Sequence, residues 1–115
     1  GWMRMDKSAH LSYLSTLAHQ GFVVCSVEYR TSNEGCYPMQ IEDVKAAIRY
    51  LKAHADRYRI DKEHFGAMGE SAGGFLTCMA ALDHDKARDV GEYLEESSSI
   101  QAACPWYPPT NLSTF

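Results

Sequence analysis

Gly69-Glu70-Ser71-Ala72-Gly73-Gly74 constrains this 115-residue chain more than any other stretch. It is a G-x-S-x-G motif, with a short apolar run from His64 to Met68 before it and a helical pattern from Ala72 to Leu82 after it. With glycine and serine each at about 7% of residues, a random chain of this length shows the pattern with odds of roughly 4%. The letters therefore decide little, and the context decides more. A serine between a strand and a helix sits on a sharp, strained turn that projects its Oγ from the top of the sheet. Gly69 and Gly73 are expected on either side because strand and helix approach closely there and a Cβ would clash. A helix starting just after Ser71 also aims free backbone N–H groups at any negative charge that develops beside it. The competing reading is a glycine-rich turn with an incidental serine.

The rest of the chain alternates helix and strand. Ser8 is a fair N-cap for a helix with Leu11, Leu14, Leu17 and Ala18 on one face and Gly21 as its stop. Phe22 to Val27 is nearly continuous in apolar residues, as in a parallel strand covered on both faces. Thr31 to Tyr37 reads as a loop, and Pro38 opens a second helix with a stripe of Ile41, Val44, Ile48, Leu51 and Ala55. Two further strands are expected over residues 64–68 and 100–104. Between them, Asp83 to Ser99 is polar and charged, a solvated loop with a short helix around Gly91 to Glu96. Residues 1–7 and 105–115 read as loops. This order predicts a single α/β layer structure with parallel strands and helices on both faces.

Composition narrows the partners. A formal net charge of −4 argues against a nucleic-acid or anionic-membrane surface, and no apolar run approaches the ~18 residues of a membrane span. Cys25, Cys36, Cys78 and Cys104 are widely spaced and form no C-x-x-C pair, so free thiols are expected instead of a disulfide frame or a zinc site. No cofactor or metal is expected. The chain opens on Gly1-Trp2 and reads as an internal piece of a longer protein, with the cytoplasm slightly favoured as its compartment.

Five ordered segments together resemble the α/β-hydrolase superfamily on its esterase/lipase branch. The resemblance is nearest to the feruloyl/acetyl esterase-like group related to hormone-sensitive-lipase-type carboxylesterases. Gly1-Trp2 looks like the end of that family's H-G-G-G-W, and Val27-Glu28-Tyr29-Arg30 resembles its V-[DE]-Y-R. Residues 40–51 are similar to its following helix, Gly69 to Gly74 match G-[DE]-S-A-G-G, and residues 100–110 resemble V-Q-A…W-[FY]-G-P-T-D. Asn33, Pro108 and Asn111 depart from the pattern, where the family has proline, glycine and aspartate.

The resemblance implies a three-layer α/β-hydrolase fold, of which residues 1–115 would be the central part of one domain. It assigns Ser71 as the nucleophile, with the Ala72 N–H and Gly1 contributing to an oxyanion hole. It also implies a strand preceding Gly1 that lies between Phe22–Val27 and the strand at 64–68, separating them by about 10 Å. A serine hydroxyl needs a base oriented by a third group, and in this fold the partners follow in the order Ser, Asp or Glu, His. No histidine follows His84. His10, His19, His54, His64 and His84 therefore read as surface or strand-end residues, and the acid and base are expected outside this stretch. Glu70 reads as support for the elbow in preference to a substrate contact, Arg30 and Asp43 as an ion pair, and Trp2, Trp106 and Tyr107 as pocket lining or core. The function implied is a serine carboxylesterase acting on small acyl or aromatic esters. An amidase or formamidase on the same triad, or a non-catalytic binding protein on the same fold, are the alternatives.

Overall fold

A computed structural model describes residues 1–3, 5 and 7–114; the loops expected at the two ends include Arg4, Asp6 and Phe115, which lie outside the described residues. In chain order the elements are α1 (Leu11–His19), α2 (Met39–Ala53), α3 (Ala55–Tyr58), β1 (Gly66–Glu70), α4 (Ala72–Leu82) and β2 (Ala102–Trp106). β1 and β2 pair in parallel, from Gly66 opposite Ala102 to Glu70 opposite Trp106. The two strands carry helices on both sides, as expected of an α/β layer structure. α4 packs across both strands and α2 packs on α4.

Both strands sit two residues later than the apolar pattern suggests. The shift is shared because the register is shared. Gln101 sets it: its Oε1 accepts from the Phe65 N–H at 2.8 Å, while its own N–H donates to the Phe65 carbonyl at 2.8 Å. Pro105 falls inside β2, a position open to proline when its missing N–H would face an unpaired edge.

The expected strand over Phe22–Val27 does not form. Among the described residues the one ladder is β1 with β2, and Ala67 pairs with Ala103, not with Val24. A strand exists only through a neighbour that takes its N–H and C=O groups, and none is present here. Phe22 and Val23 are correspondingly exposed instead of covered. The segment is held from the side: Ser26 Oγ donates to the Lys7 carbonyl at 2.6 Å, and Arg30 grips Asp43 through Nη2 at 2.7 Å and its backbone N–H at 2.8 Å. That last pair was expected from sequence.

α1 begins at Leu11, two residues later than a Ser8 cap would place it, and ends at His19, with Gly21 (φ 95°) just beyond it. α2 begins after Pro38 as expected but breaks at His54, so Ala55 belongs to the separate turn α3. Ile41, Ile48, Leu76 and Ala80 form the core between α2 and α4, with Phe75 and Met79 packed against it.

The connection from Asp83 to Ser99 is largely exposed, as expected, but it is anchored from beneath. α2 buries Lys45, Arg49 and Lys52, one or two turns apart, and each reaches into this segment. Lys45 Nζ donates to the Asp83 carbonyl at 2.9 Å, and Lys52 Nζ to the Ser99 carbonyl at 2.7 Å. Arg49, fully buried, donates to the carbonyls of Val90 and Glu92 and pairs with Asp89 at 3.2 Å. Asp89 in turn accepts from the buried Ser98 at 2.7 Å. Burial holds the Lys52 ammonium below the usual lysine range. The short helix expected near Gly91 to Glu96 is absent because Gly91 (φ 88°) and Tyr93 (φ 56°) take left-handed backbone. A 3₁₀ turn at Lys86–Arg88 stands upstream, capped by Asp85, which accepts from the Ala87 N–H at 2.9 Å. No helix among the described residues is long and apolar enough to cross a membrane.

The grip of Arg49 predicts a large penalty for losing it. Arg49→Met strands Asp89 and two carbonyls and should destabilise the intact protein by about 3 kcal/mol. Lys62→Ala, which removes the exposed pair with Glu96, should cost under about 1 kcal/mol. Urea unfolding of both variants reads the difference, and equal effects would show that burial does not distinguish these cations.

Candidate active site

Ser71 stands alone between two elements. β1 ends at Glu70, α4 begins at Ala72, and Ser71 has φ 53° and ψ −119°. That region belongs to glycine, and holding another residue there costs of order 1–3 kcal/mol unless the surroundings over-determine it. Here they do. The Ser71 N–H donates to the Trp106 carbonyl at 3.0 Å, extending the strand pairing into the turn, and the Ser71 carbonyl accepts the first helical bond, from Phe75, at 3.0 Å.

Bare backbone makes the turn possible. A Cβ on Gly69 would lie 2.5 Å from the Gly73 carbonyl oxygen, and one on Gly74 would lie 2.7 Å from the Trp106 oxygen. Gly73 is different from the sequence expectation: a Cβ there meets nothing within 4 Å. The close approach is made by the Gly73 carbonyl, which also accepts from Thr77 Oγ1 at 2.8 Å, and not by the face on which its side chain would stand. The pair that excludes a side chain is therefore Gly69 and Gly74.

Ser71 is exposed, while Ala72 directly after it is fully buried. Because Phe75 makes the first intrahelical bond, the N–H groups of Ala72, Gly73 and Gly74 have no acceptor within α4. The Ala72 N–H is the first of these and belongs to the residue directly after the serine. Trp2 tilts onto the Phe75 ring with centroids 5.5 Å apart, and the Gly1 carbonyl accepts from the Tyr29 hydroxyl at 3.2 Å. Trp106 and Tyr107 are largely exposed, and Tyr13 of α1 meets the Trp106 ring edge-on at 6.4 Å.

Glu70 is tied at both oxygens. Tyr107 donates its hydroxyl to Oε2, and His10 Nε2 lies 2.9 Å from Oε1. The Tyr107 hydrogen bond, chiefly, holds the Glu70 carboxyl below its ordinary value, and the His10 imidazole acts in the same direction. Reciprocally, giving its proton to that carboxylate raises the Tyr107 phenol. Sequence reasoning missed His10. Sixty positions separate it from Glu70, and no spacing rule joins an N-cap residue to a strand end. Of the other histidines, His54 and His64 hold local partners, Tyr50 and Asp61, each at 2.8 Å. Among the described residues no imidazole bonds the Ser71 hydroxyl.

A family profile described as BD-FAE matches residues 1–115. The chain belongs to the BD-FAE family. BD-FAE membership agrees with the esterase resemblance of the five motifs. The chain is 36% identical over 94 residues to a protein of Mycobacterium tuberculosis named "Probable carboxylic ester hydrolase LipM", covering 82% of this chain and 22% of that protein. It is 36% identical over 83 residues to the acetyl esterase of Salmonella typhi, covering 71% and 26%. Among solved structures, a bifunctional GH43-CE protein from Bacteroides eggerthii superimposes with a TM-score of 0.85 at 32% identity, over 97% of this chain and 16% of that one. This stretch of the BD-FAE fold spans about a quarter of the length of the curated relatives it matches.

The turn makes two tests possible. Gly69→Ala forces backbone apart and should destabilise the intact protein by about 2 kcal/mol, whereas Gly73→Ala gains helix propensity and should be neutral or stabilising by up to about 1 kcal/mol. Chemical denaturation separates them, and equal losses would refute the assignment of the close approach to Gly69. The second test is of pH. A carboxyl depressed in the folded state contributes stability that is present above its unfolded value, about 4.5, and is lost as pH falls through the lower folded value. Thermal unfolding of the parent and of Glu70→Gln should therefore converge on acidification below pH 4.5. Curves that stay parallel would show that the negative charge on Glu70 contributes nothing to stability.

Proposed function

We propose that the protein containing this chain is a serine carboxylic ester hydrolase. The observation that carries this reading is the left-handed backbone of Ser71 at the strand-to-helix turn, in a chain whose named relatives are ester hydrolases. Ser71 Oγ attacks the acyl carbonyl, its proton passing to a base, and a tetrahedral oxyanion forms. The Ala72 N–H stabilises that oxyanion together with a donor from the Gly1 segment, where charge develops at the start of α4. Collapse breaks the ester C–O bond, the base returns the proton to the departing alcohol, and water then hydrolyses the acyl-enzyme. The acid and base are supplied from outside residues 1–115. No metal or cofactor takes part in this scheme.

The substrates proposed are small acyl or aromatic esters. Trp2 on Phe75, one helical turn beyond Ser71, offers an aromatic surface for such groups. Names among the relatives favour esters over amides, and parallel assays with p-nitrophenyl esters and N-formyl amides separate the two classes.

A fluorophosphonate probe should label the intact protein once, at Ser71. Ser71→Ala should abolish both labelling and ester turnover, and undiminished turnover by that variant would refute the nucleophilic role. Residues 1–115 expressed alone should show no p-nitrophenyl acetate turnover above background, for want of a base.

A further inference from the structure

Two adjacent residues of the turn are bound to two adjacent residues leaving β2. Ser71 donates its N–H to the Trp106 carbonyl at 3.0 Å, and Glu70 accepts the Tyr107 hydroxyl. Both sides of this double tie are conformationally strained: Ser71 has φ 53° and Tyr107 has φ 36°. A third segment joins through His10, at the N-terminal end of α1, 2.9 Å from the other Glu70 oxygen. Glu70 therefore links α1, the turn and the β2 exit through one carboxylate.

That carboxylate poses an electrostatic problem. It belongs to the residue directly before the proposed nucleophile, where negative charge develops during acyl transfer. A free anion there would oppose the oxyanion. Its two oxygens are instead committed to the Tyr107 hydroxyl and the His10 imidazole. These are the titratable groups facing it from β2's exit and from α1. His10 and Glu70 retain 48% and 40% of their side-chain exposure, so the tie lies at the mouth of the site and not in the core.

We propose that Glu70 is a positioning residue for Ser71, held by Tyr107 and His10 so that it fixes the strained serine backbone while its charge is kept off the reaction centre. This rests on the serine hydrolase reading above. The geometry is what matters, so an amide of the same shape should serve: Gln can accept from Tyr107 through its oxygen and meet His10 through its nitrogen.

The test uses the intact protein, with circular dichroism to establish folding and fluorophosphonate labelling to report Ser71 directly. Glu70→Ala should lower kcat and the labelling rate on the order of tenfold, with KM changed less than about twofold, because serine placement is lost and ester binding is not. Glu70→Gln should recover both to within about threefold of the parent. Tyr107→Phe, which removes one hydroxyl and keeps the ring, should give an intermediate loss, and it carries the test if Glu70→Ala does not fold. Parent-rate labelling of a folded Glu70→Ala or Tyr107→Phe would overturn the positioning role and leave the serine reading standing. Loss in Glu70→Gln as deep as in Glu70→Ala would overturn the geometric account. If the parent itself is not labelled at Ser71, the hydrolase reading fails, and this inference falls with it.

Discussion

The approach of two backbones with no side chain between them is the constraint on which the site depends. Gly69 on β1 lies so close to the Gly73 carbonyl that a methyl group would sit 2.5 Å from its oxygen, and Gly74 stands as close to the end of β2. That contact seats α4 on both strands at once. With the helix so near the strand that feeds it, one residue must reverse the chain, and Ser71 takes the left-handed backbone that results. The exposed hydroxyl and the unpaired N–H groups at the head of α4 follow from the same geometry. Strain at Ser71 is thus set by contacts two and three residues away, an arrangement in which stability is given up locally to fix a reactive group.

Behind the turn, α2 serves two functions from one buried side. Ile41 and Ile48 meet Leu76 and Ala80 of α4 as an ordinary apolar stripe. The same buried side carries Lys45, Arg49 and Lys52, whose charged ends meet main-chain carbonyls of residues 83–99. Long cationic side chains can be buried in this way when each polar end finds an acceptor. The segment between α4 and β2 is thereby anchored, and β2 is delivered beside β1 with its exit, Trp106 and Tyr107, at the serine.

Much of this was legible in the sequence where local chemistry decides structure. α4 runs from Ala72 to Leu82 as the motif and its periodicity indicate, α2 starts after Pro38, and Arg30 meets Asp43. Failures occur where a partner distant in sequence decides. The apolar run at Phe22–Val27 has strand composition, but it lacks a neighbour to pair with. Residues 83–99 are as exposed as their polar side chains indicate, but nothing in their own pattern reveals that their carbonyls are claimed by cations 38 to 47 positions earlier. Gly73 was read as a clash site because it flanks the serine symmetrically with Gly69, a symmetry the helix does not share. His10 could be counted but not placed, since its partner is fixed by the docking of α1 and by no pattern within it.

The manner in which α2 holds residues 83–99 sets how freely that stretch can drift in evolution. Lys45 and Lys52 recognise carbonyl oxygens of Asp83 and Ser99, and Arg49 those of Val90 and Glu92, and every amino acid carries that oxygen. The clasp is therefore blind to the side chains it holds, apart from Asp83 and Asp89, whose carboxylates pair with Lys45 and Arg49. Substitutions can accumulate on the outward surface of this stretch while its path is preserved by three residues on another element. Sequence divergence there would be a sign of a secure anchor and not of a loose one.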